Sequence, residues 1–323
     1  MVAPSPLLTH HGMGDELARV EDTLRAAVTV PDPHLTEVAL HLITAGGKRQ
    51  RPALTVLASG AVPASEDAVR GGVAVELVQV GSLCHDDVMD EADTRRGVET
   101  VNHRWGNLTA ILAGDFLLAK ASEIAASLGT EVAGLLAATI GRLCEGQVRE
   151  LQTTFQPDRT ETAYLEAIDG KTAALFAAST RIGGIVADLP RDEIEALTTY
   201  GHRYGMAFQV VDDVLDIVAT DEQLGKPAGQ DLAVGVYTFP VIRSLAAGDE
   251  ELGEMLGKPL DADDVARARK LVRAGAGVDE ALALAATYAE EAVAALAPLP
   301  PSPCVDTLAA GARALVESVP DNP

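Results

Sequence analysis

HDDVMD at residues 85 to 90 and VDDVLD at residues 211 to 216 write Asp-Asp-x-x-Asp twice, each time after an apolar stretch: VELVQVGSLC leads into the first and MAFQVV into the second. On a helix, residues four apart stand one turn above each other. Asp86 therefore shares a face with Asp90, and Asp212 with Asp216, while Asp87 and Asp213 lie about 100° around. Like charges at that spacing repel even in solvent, and on a face turned toward a core the cost rises steeply. A hard divalent cation removes the conflict, because carboxylates from one helix fill only part of an octahedron and leave the remainder to substrate phosphates. The separation of 126 residues (212 − 86) puts the motifs on different helices, able to face each other across a bundle. A solvated acidic face competes with this reading for one motif alone; two copies in apolar surroundings favour metal. All six carboxylates, Asp86, Asp87, Asp90, Asp212, Asp213 and Asp216, are candidate ligands. The EF-hand spacing and its turn glycine are missing, which argues against calcium. His85 is off the Asp86–Asp90 face and reads as structural.

Outside the motifs the pattern is helical. Apolar positions recur at helical spacing in ELARVEDTLRAAV, AGDFLLAKASEIAASL and EIEALTTYGHRYGMAFQVV, with no convincing alternating strand. The expected fold is all-α, a single bundle over residues 1–323 around a central apolar cavity, with the first ~15 residues loosely held. The 323 residues, 47% hydrophobic, suffice for a large core. Every apolar run is broken before the ~18 residues that a membrane span requires, and the N-terminus has no basic region ahead of an apolar one. A cytoplasmic protein is expected. Cys84, Cys144 and Cys304 are far apart and read as small hydrophobes. The net charge of −23 opposes binding to nucleic acid. Against that background GGKRQRP (46–52) and TRRG (94–97), which hold five of the 25 cationic side chains, suggest a pocket for a small anionic ligand. Arginine grips phosphate bidentately and lysine acts as a point charge, so the pattern reads as two diphosphate sites, one bridged by Mg²⁺ and one held directly.

Taken in order, GGKRQRP, VELVQVGSLCHDDVMDEADTRRG, GDFLLA, EGQ, GKTAALF, FQVVDDVLD and GKPAGQDLAVGVYTFP resemble the trans-isoprenyl diphosphate synthases, the polyprenyl synthetase family, and most of all its bacterial long-chain members. The resemblance spans about residues 46 to 240. It implies a homodimeric prenyltransferase in which Asp86, Asp90 and Asp212 bind three Mg²⁺, with Asp87, Asp213 and Asp216 in direct or water-mediated support. It further implies that Lys171, Thr172, Arg95, Gln209 and Lys226 hold the allylic diphosphate, and Lys48, Arg51, Arg96 and Gln79 isopentenyl diphosphate. Gln147 and Glu150 are read either as ordering metal-bound water or as a buried structural pair. One departure stands out: the family often writes Gly-Lys-x-Thr where this chain has Gly235, Val236, Tyr237 and Thr238, leaving Lys226 as the loop's cation.

In the implied reaction the allylic carbon–oxygen bond ionises while the metal, Lys171, Arg95 and Lys226 stabilise the departing diphosphate. The fixed double bond of isopentenyl diphosphate then attacks. One turn before Asp86 stand Gly81 and Ser82, neither bulky enough to floor a tunnel. The product is therefore expected to exceed C20, and Gly81→Phe to shorten it. The alternative is that these small residues only let helices pack closely. A short-chain synthase, a terpene cyclase and a silent subunit of a heteromeric synthase are the competing functions. Aromatic residues at only 3%, and the presence of all six aspartates, weigh against the last two.

Overall fold

Ser65, Thr100, Thr160, Asp249, Asp261 and Ser302 each start a helix, the side-chain oxygen accepting the backbone N–H three residues on. Short polar side chains in this way satisfy the orphan donors of a first turn. In the computed structural model, which describes residues 5–224 and 227–319, the helices in chain order are α1 (Pro6–Thr9), α2 (Met13–Val28), α3 (Pro33–Thr44), α4 (Gln50–Ala58), α5 (Glu66–Met89), α6 (Val101–Trp105), α7 (Asn107–Ser127), α8 (Thr130–Gln152) and α9 (Glu161–Ile168). A π-helical turn, Asp169–Ala173, leads into α10 (Ala174–Val186) and α11 (Arg191–Val218). Then follow α12 (Asp221–Leu224), α13 (Gln230–Ala233), α14 (Phe239–Ala246), α15 (Glu250–Met255), α16 (Ala262–Ala274), α17 (Gly277–Ala295) and α18 (Pro303–Glu317). The expected all-α bundle is what forms.

α5 buries residues on every side, from Ala68 and Val69 through Val75 and Leu77 to Val80 and Cys84. An all-round apolar helix belongs at the centre of a bundle, and α5 is packed between α7, α4, α10 and α2. α10 lies between α4 and α11, and α11 in turn packs along α17. The two aspartate motifs thus end two helices joined through α10.

Two details differ from the sequence expectation. A two-stranded antiparallel ribbon interrupts the helices, β1 (Thr94–Arg95) pairing with β2 (Val98–Glu99). Arg96 and Gly97 make its turn with φ of 54° and 77°, the left-handed pair that suits a two-residue hairpin. The N-terminal segment from Ser5 onward is packed, not loose: Leu7 is fully buried against Gly311 of α18, and Met13 is also fully buried. Among the described residues no helix is long and apolar enough to cross a membrane.

Candidate active site

Both aspartate motifs sit at helix C-termini: Asp90 caps α5, and Asp216 lies in the penultimate residues of α11. The negative end of each helix dipole adds to the repulsion among the carboxylates, so both places call for a cation. Asp86 is half-buried and Asp90 exposed. Burial is the main reason that the Asp86 carboxyl is pushed up to about 6; the nearby Lys171 pulls it down and Asp90 and Glu150 raise it. Asp90 is raised for the same first reason. Asp87 is fully buried, and its Oδ1 accepts from Arg95 Nε at 2.5 Å, while its Oδ2 has no partner among the described residues.

In the second motif Asp212 is exposed and the other two are buried. Asp213 accepts from the Tyr164 hydroxyl at 2.6 Å on Oδ2 and from Gln209 Nε2 at 2.8 Å on Oδ1. Its carboxyl is raised, chiefly by burial, with Asp212 and Glu150 adding to the rise. Asp216 accepts backbone N–H groups of Gln230 (3.3 Å) and Asp231 (3.2 Å), and its own carbonyl accepts from Gly229 (2.9 Å). It ties the segment after α12 back onto α11.

Between the motifs lies the π-helical turn. It presents Lys171, whose Nζ donates to Glu150 of α8, and Thr172, whose hydroxyl donates to Gln209 at 2.7 Å. Burial lowers the Lys171 ammonium, but Glu150, Asp86 and Asp90 together hold it above its ordinary value. Glu150 acts electrostatically on Asp86 and Asp90 from one motif and on Asp213 from the other. Glu150, with Lys171 paired to it, therefore stands near enough to both acidic helix ends to act on their carboxyls. Glycines make this possible: a Cβ on Gly146 would lie 2.2 Å from Lys171 N, and one on Gly170 2.7 Å from the Arg142 carbonyl. Neither glycine was signalled as a packing residue by the sequence.

A divalent cation fits this donor set. The ligands are oxygens, the acidic groups are partly desolvated, and the nearby lysine is already engaged by Glu150. Among the described residues no three His, Cys, Asp or Glu side chains are gathered tightly enough to chelate an ion by themselves. The carboxylates would therefore share the ion with oxygens of a substrate.

The cationic residues divide by role. Arg49 is structural: it is buried, with Nη1 donating to Glu76 at 2.6 Å, Nη2 to the Ile43 carbonyl at 2.7 Å, and Nε to Glu21. Arg51 lies 4.2 Å over the Phe176 ring, and burial lowers its guanidinium to about 10, offset in part by Glu76 and deepened by Arg96. Lys48 is exposed and Gln79 half-buried. The hairpin sends neighbouring arginines apart, Arg95 to Asp87 and Arg96 to the Gly46 carbonyl beside Gly47. Lys226 lies outside the described residues.

The structure also bears on the two small residues before the first motif. A Cβ on Gly81 would stand 3.1 Å from the Gly114 carbonyl and 3.3 Å from Leu117 Cβ, so this position faces α7 and serves close helix packing. The tunnel reading of Gly81 is not supported by its surroundings. Ser82 is half-buried, its hydroxyl donating to the Gln79 carbonyl at 3.0 Å. His85 also turns to α7, near the Ile111 carbonyl (3.1 Å) and Asp115. Gln147 has a buried Oε1 without a partner among the described residues. Tyr164 and Arg159 were missed in the sequence, since nothing local ties them to an aspartate some 50 residues on.

Comparison with known proteins points to one family. Residues 32–273 match the family model described as Polyprenyl synthetase. The chain is 38% identical to nonaprenyl diphosphate synthase of Mycobacterium tuberculosis, covering 91% of this chain and 90% of that protein. It is likewise 38% identical to heptaprenyl diphosphate synthase component 2 of Geobacillus stearothermophilus, over 89% of this chain and 91% of the relative. Among solved structures, a polyprenyl synthase of Caulobacter crescentus complexed with calcium and isoprenyl diphosphate superposes with a TM-score of 0.91 at 33% identity, covering 97% of this chain and 98% of the other.

Proposed function

The chain belongs to the polyprenyl synthetase family, and from that premise we propose that it condenses isopentenyl diphosphate with an allylic diphosphate to a trans-polyprenyl diphosphate longer than C20. The observation that carries the reading is the π-helical turn that serves both motifs: Thr172 reaches Asp213 through Gln209, and Lys171, paired with Glu150, lies near enough to Asp86 and Asp90 to act on their carboxyls. The long-chain assignment is supported by the nonaprenyl and heptaprenyl names of the two relatives.

Asp86, Asp90 and Asp212 are the ligands that would hold three Mg²⁺, with Asp87, Asp213 and Asp216 behind them. When bound, Mg²⁺ neutralises the negative charge that gathers on a departing diphosphate. Lys171 and Arg95 stand beside that position and add to the stabilisation, and Thr172 and Gln209 orient the allylic diphosphate. Lys48, Arg51 and Arg96, with Gln79, hold isopentenyl diphosphate so that its double bond meets the allylic carbon, an arrangement that removes most of the entropic cost of the encounter. The released diphosphate accepts the proton lost in the last step. Lys226 remains the proposed cation of the segment that follows α12.

The growing chain runs from the motif past Ser82 into the apolar interior, each buried CH₂ gaining about 0.8 kcal/mol. A second copy of the chain covers Leu108 and Leu112 of α7, 80% and 65% exposed, together with Val148 and Leu151 of α8, giving a homodimer. The enzyme acts in the cytoplasm.

The test is incubation with isopentenyl diphosphate, Mg²⁺ and allylic starters of ten, fifteen and twenty carbons, followed by sizing of the products. Products beyond C20 are expected; accumulation at C15 or C20 removes the long-chain assignment, and no condensation removes the enzyme. Ser82→Phe should shorten the product. Gly81→Phe should instead force α5 from α7 and destabilise the fold, since the added ring meets backbone.

A further inference from the structure

The connector between α8 and α9 touches the segment that follows α13, and α9 itself touches the second aspartate motif. Phe155 N donates to the Gly235 carbonyl at 2.8 Å, and Gly235 lies on the Phe155 ring so closely that a Cβ there would be 2.4 Å from it. Arg159 is only 5% exposed and donates from Nη1 to the Tyr237 carbonyl at 3.0 Å. Its guanidinium carbon lies 5.5 Å from the centroid of the Tyr164 ring, and the Tyr164 hydroxyl donates to Asp213. A continuous chain of contacts thus runs from the backbone of residue 237 through Arg159 and Tyr164 to Asp213. The other end of the same segment is held by Asp216, through the amides of Gln230 and Asp231.

Arg159 is an expensive way to fasten a loop. Its Nε and Nη2 are buried without an acceptor among the described residues, a cost that a lysine or an apolar residue would avoid. The planar fork reaches a carbonyl on one edge while its face covers an aromatic ring, a combination open to arginine and closed to lysine.

We propose that Arg159 and Tyr164 are a pair of positioning residues that couples the placement of the 235–238 segment to the orientation of Asp213. Tyr164 fixes which way the Asp213 carboxylate turns, and Arg159 fixes Tyr164 and the segment together. The proposal rests on the reading of Asp213 as a member of the metal–diphosphate site.

The experiment titrates Mg²⁺ with inorganic diphosphate into wild type, Tyr164→Phe, Arg159→Met and the double variant by calorimetry, and follows amide hydrogen exchange of residues 229–239 in the ligand-free proteins. Each single change is expected to weaken diphosphate binding about five- to tenfold, the size of one lost hydrogen bond. The double variant should lose no more than about twentyfold, because two members of one chain of contacts do not act independently. Arg159→Met should also speed exchange over 229–239, and Arg159→Lys, which keeps the charge and loses the fork, should restore less than half of the binding. A lower melting temperature with wild-type binding, or losses that multiply in the double variant, would overturn the proposal. Failure of the wild type to bind Mg²⁺ and diphosphate at all would count against the proposed function. The pair is then judged by exchange, where protection equal to wild type in Arg159→Met overturns it.

Discussion

The two Asp-Asp-x-x-Asp motifs are written alike and folded differently. In the first, Asp86 is half-buried, Asp90 is exposed and only Asp87 is buried, against Arg95. In the second, Asp212 alone is exposed; Asp213 is enclosed by Tyr164 and Gln209, and Asp216 by backbone amides of the segment that returns over it. The spacing places Asp212 and Asp216 on one helix face just as it does Asp86 and Asp90. What differs is the neighbour: the end of α5 turns into the open hairpin, whereas the end of α11 is covered by residues 229–231. One motif is mostly open and the other mostly anchored. Identical sequence patterns fix a face of a helix, and the tertiary partner decides what that face does.

Removing the open carboxylates should have the largest effect. Asp86→Ala, Asp90→Ala and Asp212→Ala are each expected to lower turnover on the order of 10³-fold, with circular dichroism and melting close to wild type. A fold that melts early in these variants would erase the distinction between open and anchored carboxylates. Asp213→Ala should instead damage both readouts. Stranding the Tyr164 hydroxyl and the Gln209 amide in a buried place costs about 1–3 kcal/mol, visible as a reduced denaturation midpoint, with turnover falling as well.

Acidification sharpens the comparison further. The Asp86 carboxyl titrates at about 6 in the folded, metal-free chain, above the ordinary value of 3.8. A raised carboxylate pKa means that the charged form costs stability at neutral pH, and the cost is relieved as pH falls through about 6 toward 4. Metal-free protein should therefore gain on the order of 1 kcal/mol from this group between pH 7.5 and 5. Asp86→Asn should remove that gain and raise the melting temperature at pH 7.5. A melting curve for Asp86→Asn with the same pH dependence as wild type would place the strain elsewhere. The smallest effect belongs to Asp216→Ala, where two amides lose an acceptor: about 0.5–1.5 kcal/mol, with faster proteolysis within 227–238 as its more sensitive signature.

The helices and both motifs were legible in the sequence because apolar spacing and paired carboxylates are local signals. Arg95 and Arg96 read as one basic pair, yet a two-residue turn with positive φ splits them, and TRRGVE is too short to show alternation. Gly81, one turn before Asp86, reads as leaving a tunnel open; its open side is in fact filled by the backbone and side chains of α7. Helical spacing tells which residues share a face and is silent on which neighbour meets it. The N-terminal PLLTHHGM carries too few apolar residues to announce a core helix, yet Leu7 and Met13 are sealed by α18 and the bundle. Tyr164 reaches Asp213 from a different helix, and Arg159 reaches Tyr164 from the connector before it, contacts no local pattern encodes.

The hairpin has one more implication. Consecutive Cα atoms across a trans peptide are always about 3.8 Å apart, and Arg95 and Arg96 are consecutive. The guanidinium that reaches Asp87 and the one that reaches the glycine loop at 46–47 are thus leashed by a single covalent link. The separation of whatever the two arginines grip is bounded by the reach of two side chains from one peptide, so neither partner can move away farther than that reach without one grip letting go.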